Sequence, residues 1–196
     1  ADWHLGQTFF GYDRDEEHEA FLSWLIDILT LRQTDVLLIA GDVFDVANPS
    51  AAAQRRFFRF LREANRRNPQ LQIVIIAGNH DSAARLEAPI PLLEELNTSI
   101  VGAVPRTDLC KIDFDSLLIP LYNKEGKREA ICLAVPYLRQ GDYPASKEGK
   151  DTYVEGVTRM YRQLYDYADS QRQPGEALFA TVSYTHLRAH ETLRHL

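Results

Sequence analysis

The stretch DVLLIAGDVFD (residues 35–45) decides the fold that this chain is expected to adopt. Its apolar, partly β-branched run at 36–40 is typical of a strand buried on both faces of a parallel sheet, and it ends abruptly in Gly41 and Asp42. A second stretch, QIVIIAGNHD (residues 72–81), has the same construction and also ends in a glycine and polar residues. Because open α/β sheets bind ligands just outside the carboxyl ends of their strands, we expect the two polar tips to share one site.

Helix and strand patterns alternate around these two stretches. Residues 1–13 are predicted to form a loop, and apolar residues at helical spacing predict helices at 15–32 and 51–67. Residues 83–97 are expected to form a third helix despite Pro89 and Pro91, and residues 98–103 a short strand. This alternation predicts right-handed βαβ units and a parallel core.

The second half of the sequence has a different pattern. Short strands are predicted at 109–114, 116–121, 130–138 and 177–182, with a hairpin loop at 123–127 and a helix that begins near Tyr153. The predicted fold class is therefore α/β with mixed sheets flanked by helices, formed by residues 1–182.

Composition limits the function classes. With 196 residues the chain is long enough for one α/β domain, and its net charge of −6 gives no electrostatic sign of nonspecific nucleic-acid binding. Cys110 and Cys132 lack metal-motif spacing and are expected to be small buried residues of a cytoplasmic protein. The sequence predicts no signal peptide and no membrane association, because no apolar run approaches the roughly 18 residues of a spanning helix.

The polar residues at the two strand tips and at the start of the chain have the chemistry of metal ligands. Asp2 and His4 are two residues apart, so an extended segment would project both side chains from one face. Mixed Asp, His and Asn ligands suit divalent Mn²⁺, Fe²⁺ or Zn²⁺ better than an all-oxygen Ca²⁺ site. Two such ions roughly 3.5–4 Å apart can generate a hydroxide and hold a phosphate ester. Asp42 is the natural bridging carboxylate, and His80 could serve as a general acid or hydrogen-bond donor.

Each motif also has a non-catalytic interpretation. An isolated D-x-H often caps a turn, and G-D after a strand is often a helix N-cap; only the three motifs in combination favour a metal site. The arginine-rich helix at 51–67 has two interpretations as well. A solvated amphipathic face is the default, and a phosphate-contacting surface is the alternative.

The motifs DWHLGQ (residues 2–7), GDVFD (41–45) and GNHD (78–81) together resemble the calcineurin-like metallophosphoesterase superfamily, and within it the SbcD/Mre-type DNA-repair nucleases. The residues Leu96-Asn97-Thr98 and the sequence at 136–139 also resemble these nucleases. The resemblance implies that Asp2, His4, Asp42 and Asn79 bind two divalent ions, most often Mn²⁺, with Asp42 bridging and His80 catalytic. Asp45, where some relatives carry a second active-site histidine, and Asp81 are assigned to the surroundings of the site.

The resemblance implies a function as well. It predicts a cytoplasmic nuclease subunit of DNA repair and recombination that acts as a 3′–5′ double-strand exonuclease and a single-strand or hairpin endonuclease. Its partners would be DNA, an ATPase subunit of SbcC type and a second nuclease subunit. Two alternatives are a phosphoesterase of nucleotides or other small phosphoesters, and a non-catalytic docking domain.

The sequence departs from the family pattern at both ends. The short strand expected before the D-x-H motif is missing, and the later G-H and G-H-x-H motifs do not occur. We therefore expect a domain truncated at both ends, with a non-native tail at 183–196 whose histidines, among them His186 and His190, are chance occurrences. Such a chain is expected to bind the second metal ion poorly and to show little activity.

Overall fold

The structure is a computed structural model that describes residues 1–93, 96–145 and 152–183. The first half contains, in chain order, β1 (Thr8–Phe9), β2 (Tyr12–Asp13), α1 (Asp15–Leu31), β3 (Val36–Ala40), α2 (Ala51–Arg67), β4 (Gln72–Ile76), α3 (Ala83–Glu87), α4 (Ile90–Leu93) and β5 (Thr98–Val101). The second half contains a 3₁₀ turn (Asp115–Leu117), β6 (Leu118–Tyr122), β7 (Arg128–Ala134), α5 (Tyr153–Gln171) and β8 (Ala177–Thr181).

Three strands form the first sheet, in the order β3-β4-β5, and all its pairs are parallel. The prediction that β3 is buried on both faces was wrong. Among the described strands β3 lies at the edge of its sheet, only Ile39 is buried, and Leu38 remains 37% exposed. The central, fully covered strand is β4, whose residues 73–76 are all buried. Similar apolar runs cannot reveal which strand has two neighbours, because strand order is set by tertiary packing.

The N-terminal segment is not the simple loop that was predicted. Strands β1 and β2 form a small antiparallel hairpin, which turns at Phe10 and Gly11 with φ angles of 49° and 84°. Glycine adopts such left-handed angles without steric cost, so the turn depends on Gly11. The aromatic side chains of Phe9, Phe10 and Tyr12 on this hairpin are exposed.

Helices α1 and α2 pack on each other and on the first sheet. Ser50 caps α2 by accepting a hydrogen bond from Ala53 N, at 3.1 Å. The buried face of α2 includes Phe57 and Phe60. Four of its six arginines contact acidic groups: Arg56 is buried against Asp15 and Glu19 of α1, and further ion pairs join Arg59 to Glu19, Arg66 to Glu63 and Arg67 to Asp27. These pairs favour the default interpretation over a phosphate-contacting surface.

The single helix predicted at 83–97 is instead two short helices, α3 and α4. Pro89 and Pro91 explain the break, because proline lacks the N–H that a helix interior requires and its ring clashes with the preceding turn. The strand predicted at 109–114 is also absent, and only one isolated bridge joins Arg106 to Ile112 there. The other predicted helices and strands are confirmed to within a few residues at each end.

The second sheet has the order β6-β7-β8, with β6 antiparallel and β8 parallel to β7, which confirms the predicted mixed second half. Helix α5 covers it with Met160 and Leu164. Strand β4 contributes to both hydrophobic cores: Ile73 and Ile75 belong to the core under α1 and α2, whereas Val74 and Ile76 belong to the core of the second sheet. Among the described residues, no helix has the length and apolar character that a membrane crossing requires.

Candidate metal centre

The segment around Asp2 and His4 lies against the carboxyl end of β3. Trp3 N and His4 N both donate to Asp42 O, at 2.9 and 3.1 Å, and Leu5 N donates to Val43 O at 3.0 Å. The Trp3 ring is held edge-on by Phe21, Phe57 and Phe60, at centroid distances of 5.3–6.2 Å. Trp3 therefore anchors the segment in the first core, a role that its position between two polar residues could have indicated.

The backbone around these residues differs from the extended segment that was predicted. Asp2, His4 and Asp42 all have positive φ angles, of 57°, 46° and 49°. Residues without a glycine's freedom adopt this region rarely, and they cluster where surrounding structure holds a functional site. The two side chains are therefore brought together by left-handed turns rather than by strand alternation.

These turns bring predicted site residues together in two overlapping groups. One atom from each of Asp2, His4 and Asp42 lies within 4.8 Å of the others. The same holds for His4, Asp45 and His80, so His4 belongs to both groups. Because Asp45 belongs to the second group, it lies closer to the centre of the site than the sequence indicated.

Two residues at this site carry buried oxygen atoms without a partner among the described residues. Asp42 is fully buried; its Oδ1 accepts a hydrogen bond from His80 N at 3.0 Å, but its Oδ2 has no partner among the described residues. Asn79 Oδ1 is likewise buried without a described partner. A buried unpaired carboxylate oxygen is costly, and a divalent cation would compensate it. The donor set of carboxylate, imidazole and amide oxygens fits a first-row divalent metal ion.

His80 is oriented by its surroundings. Its Nδ1 lies 2.6 Å from Asp45 O, and because a carbonyl oxygen only accepts, this contact assigns the proton to Nδ1. The His4 and His80 rings meet edge to face, with centroids 4.9 Å apart. His4 Nδ1 lies 3.2 Å from Asp45 Oδ1 but forms no hydrogen bond with any described residue. The ring of His80 is thus fixed through Nδ1, which leaves Nε2 for proton chemistry.

Asp81 has a different role from its neighbours. Its carboxylate accepts hydrogen bonds from Val43 N at 3.1 Å, Phe44 N at 2.9 Å and Gly78 N at 2.9 Å. Burial raises the pKa of Asp81, and these three N–H groups oppose the rise. Asp81 therefore ties the loop after β3 to the loop after β4, which holds Asp42 and Asn79 in register.

Gly78 is required by close packing. A Cβ at this position would overlap the Asp42 carboxylate and its backbone nitrogen. Gly41 faces it from the other loop, and a Cβ there would lie 3.1 Å from Gly78 Cα and overlap the Ser183 side chain, which follows β8. The two glycines thus allow the two loops and the tip of the second sheet to meet.

Comparison with known proteins gives a consistent result. The family model described as calcineurin-like phosphoesterase matches residues 1–172. The chain is similar to the SbcD component of the SbcCD nuclease of Rhodobacter capsulatus, at 48% identity over 165 residues, which cover 84% of this chain and 40% of the relative. It is also similar to the same component in Escherichia coli, at 31% identity over 193 residues, which cover 95% of this chain and 45% of the relative.

The chain thus spans less than half the length of these two curated relatives. The family match covers every predicted site residue, in both polar strand tips and in the D-W-H segment. It confirms the predicted resemblance and the predicted fold class. The chain therefore belongs to the calcineurin-like phosphoesterase family, a family of hydrolases.

Proposed function

We propose that this chain is the part of a metal-dependent DNA nuclease subunit that supplies the first half of a two-metal site. The observation that carries the proposal is the convergence of Asp2, His4 and Asp42 around a buried carboxylate oxygen that has no described partner. A purely structural role would not require three ionisable side chains on residues that all have left-handed backbone angles. The same three side chains would hold a metal ion without any rearrangement.

Asp2, His4, Asp42 and Asn79 would hold the ions, with Asp42 placed to bridge them and Mn²⁺ the proposed metal. When bound, such ions supply a hydroxide nucleophile and neutralise charge on the phosphate. His80, oriented by Asp45 O, would donate a proton or a hydrogen bond from Nε2 to an oxygen of the phosphodiester. Asp81 would act only through the loops that it joins.

DNA is the proposed substrate because the similar proteins are named as components of the SbcCD nuclease. By this similarity we propose 3′–5′ double-strand exonuclease and single-strand or hairpin endonuclease activities in DNA repair and recombination. We further propose an SbcC-type ATPase as partner, a second nuclease chain in the complex, and a cytoplasmic location.

Residues 183–196 are proposed to be foreign to the domain formed by residues 1–182. Ser183 already packs against Gly41 beside the candidate metal centre, so the residues that follow β8 start at a position where further ligands could reach the ions. Resequencing the locus tests the proposal. A reading frame that continues unchanged through Thr181 to Leu196 would contradict it.

The function is tested by metal binding and by cleavage. Mn²⁺ affinity of this chain is measured by calorimetry, and cleavage of duplex, single-stranded and hairpin DNA is measured with the full-length protein beside a nucleotide phosphodiester. We expect His80→Ala to abolish DNA cleavage while Mn²⁺ still binds, and the exposed control Asp169→Asn to cleave normally. Preference for the nucleotide phosphodiester would instead favour a small-molecule phosphoesterase, and unchanged cleavage by His80→Ala would contradict the assigned site.

A further inference from the structure

A cleft of about 720 Å³ lies on the second half of the molecule, apart from the candidate metal centre. Its walls come from the segment before β6, the segment after β7, and Gln163 of α5. The predicted metal ligands do not line it. No part of the proposed metal chemistry uses this cleft.

The charge of the cleft is positive although the whole chain has a net charge of −6. Arg106 and Lys111 line it, and no carboxylate does so among the described residues. Neither cation has an acidic partner in the described part of the chain. Arg106 donates to two carbonyl oxygens, Cys110 O at 3.0 Å and Gly141 O at 2.6 Å, which fixes its guanidinium at the rim.

Two carboxylates in the segments that form the walls are already engaged. Asp113 accepts a hydrogen bond from Ser116 Oγ at 2.7 Å, and Asp142 accepts one from Arg139 N at 2.7 Å. These bonds hold both acids in the turns of their own segments. The two lining cations therefore remain available to an anionic ligand.

Aromatic side chains form the apolar part of the cleft. Tyr143 stands against α5 where Gly156 has no side chain, and a Cβ at Gly156 would overlap the Tyr143 ring. Tyr153 contacts Tyr143 edge-on, at a centroid distance of 6.0 Å. Phe114, held by Tyr167 at 5.7 Å, lies in the same lining. The rings are thus fixed in place before any ligand binds.

We propose that this cleft binds a nucleotide unit, with the base against Tyr143 and Phe114 and the phosphate on Lys111 and Arg106. Aromatic rings with fixed positions beside cations are the combination by which proteins hold single nucleotides and single strands. The segment after β7 connects the cleft to the loop of the candidate metal centre. Tyr137 N in this segment donates to Ala77 O, directly before Gly78, at 2.8 Å. The ligand is either a free mononucleotide or one unit of a bound single strand.

The two cysteines provide a direct probe of the cleft. Cys110 is exposed in the lining, contrary to the prediction that it is buried, whereas Cys132 is buried and burial raises its pKa to about 11. Alkylation near neutral pH should therefore modify Cys110 selectively. The rate of that modification, measured in EDTA without any metal ion, reports whether a ligand covers the cleft.

We expect saturating dAMP to slow Cys110 alkylation about fivefold or more, and inorganic phosphate or adenosine alone to slow it far less, since neither makes both contacts. Lys111→Ala and Tyr143→Leu should each weaken dAMP binding about tenfold, as measured by calorimetry, in line with the loss of one charge or one stacking contact. The exposed control Lys124→Ala should bind as the unsubstituted protein does. An oligonucleotide such as (dA)₆ that binds much more tightly than dAMP identifies a strand, and equal affinities identify a free mononucleotide.

The proposal is overturned if dAMP leaves the alkylation rate unchanged, or if Lys111→Ala and Tyr143→Leu bind dAMP as tightly as Lys124→Ala does. Thermal unfolding of each variant shows whether the fold is retained. Because the experiment contains no metal ion, its outcome is independent of the proposed nuclease activity.

Discussion

The two sheets end very differently at their carboxyl edges. At the tips of the first sheet, Asp2, His4 and Asp42 have left-handed backbone angles, and Asp42 and Asn79 keep buried oxygens without described partners. At the tip of the second sheet, Thr181 Oγ1 donates to Leu133 O at 3.3 Å, and no non-glycine residue of β6, β7 or β8 has a positive φ. The first sheet thus carries unfavourable local structure at a candidate site, whereas no buried side-chain polar atom in the described part of the second sheet lacks a hydrogen-bond partner. Strained backbone angles of this kind cluster at functional sites.

Truncation of either core tests whether the two sheets unfold as one unit. Phe57 and Met160 are both fully buried, one in each core, and we expect Phe57→Ala and Met160→Ala to cost about 2–5 kcal/mol each. Both tryptophans, Trp3 and Trp24, lie in the first half, so their fluorescence reports on that half alone. Because β4 contributes to both cores, Met160→Ala should lower the denaturant midpoint of the tryptophan signal as much as that of circular dichroism.

Val154→Ala is the control for this test, since Val154 is 48% exposed and should change stability by less than about 0.5 kcal/mol. A tryptophan transition that stays unchanged in Met160→Ala would mean that the sheets are independent units.

Asp42→Asn tests the cost of the unpaired carboxylate. Without metal, Asp42→Asn should raise the free energy of unfolding by about 1–3 kcal/mol, because it removes a buried charge that no described cation compensates. In the unsubstituted chain, Mn²⁺ at 100 times its Kd should stabilise by about 2.7 kcal/mol, and Asp42→Asn should lose that gain. Thermal unfolding with and without Mn²⁺ measures both effects. A variant that is less stable without metal and still stabilised by Mn²⁺ would show that Asp42 is structural.

Asp81→Asn and Asp142→Asn compare the same kind of contact in the two halves of the molecule. Each carboxylate accepts backbone N–H groups, but Asp81 is buried and serves two loops, whereas the bond from Arg139 to Asp142 is exposed. An asparagine at position 81 directs its NH₂ towards another donor, so we expect about 1–2 kcal/mol of destabilisation and about tenfold weaker Mn²⁺ binding. Asp142→Asn should change unfolding by less than about 0.5 kcal/mol. Equal losses of stability for the two variants in denaturant unfolding would show that the buried contact contributes no more than the exposed one.

Glu176→Gln has the smallest expected effect and concerns the second sheet alone. The Arg128 guanidinium beside Glu176 holds the pKa of that carboxyl below its ordinary value of 4.5. Stability from this pair is therefore present above the ordinary carboxyl pKa and lost as pH falls through the lowered pKa. Glu176→Gln should flatten the loss of stability below about pH 4.5, as measured by thermal unfolding across pH. An unchanged acid profile would show that the pair contributes nothing.

The sequence predicted the strand tips well because their signal is local. An apolar run that ends in glycine and carboxylate indicates the edge of a parallel sheet wherever the run lies, and the motif residues 2, 4, 42, 79 and 80 are brought to one place. Their roles as ligands and catalyst stay predictions.

Other features depend on the tertiary structure and could not be predicted. The place of β3 at the sheet edge follows from how the strands assemble, and the left-handed angles of Asp2 and His4 follow from backbone hydrogen bonds to residues 41–43. The tie made by Asp81 needs three N–H groups from two distant loops. The exposure of Cys110 depends on an irregular segment that residue patterns predicted to be a strand.

The close packing of Gly78 on Asp42 leaves no space for a side chain at residue 78. A Cβ there would overlap the Asp42 carboxyl group and the Asp42 backbone nitrogen, so any larger residue would have to displace the loop that carries Asp42. Because Asp42 Oδ2 is a buried oxygen without a described partner, a substitution at residue 78 would act on the candidate metal centre without removing any of its predicted ligands.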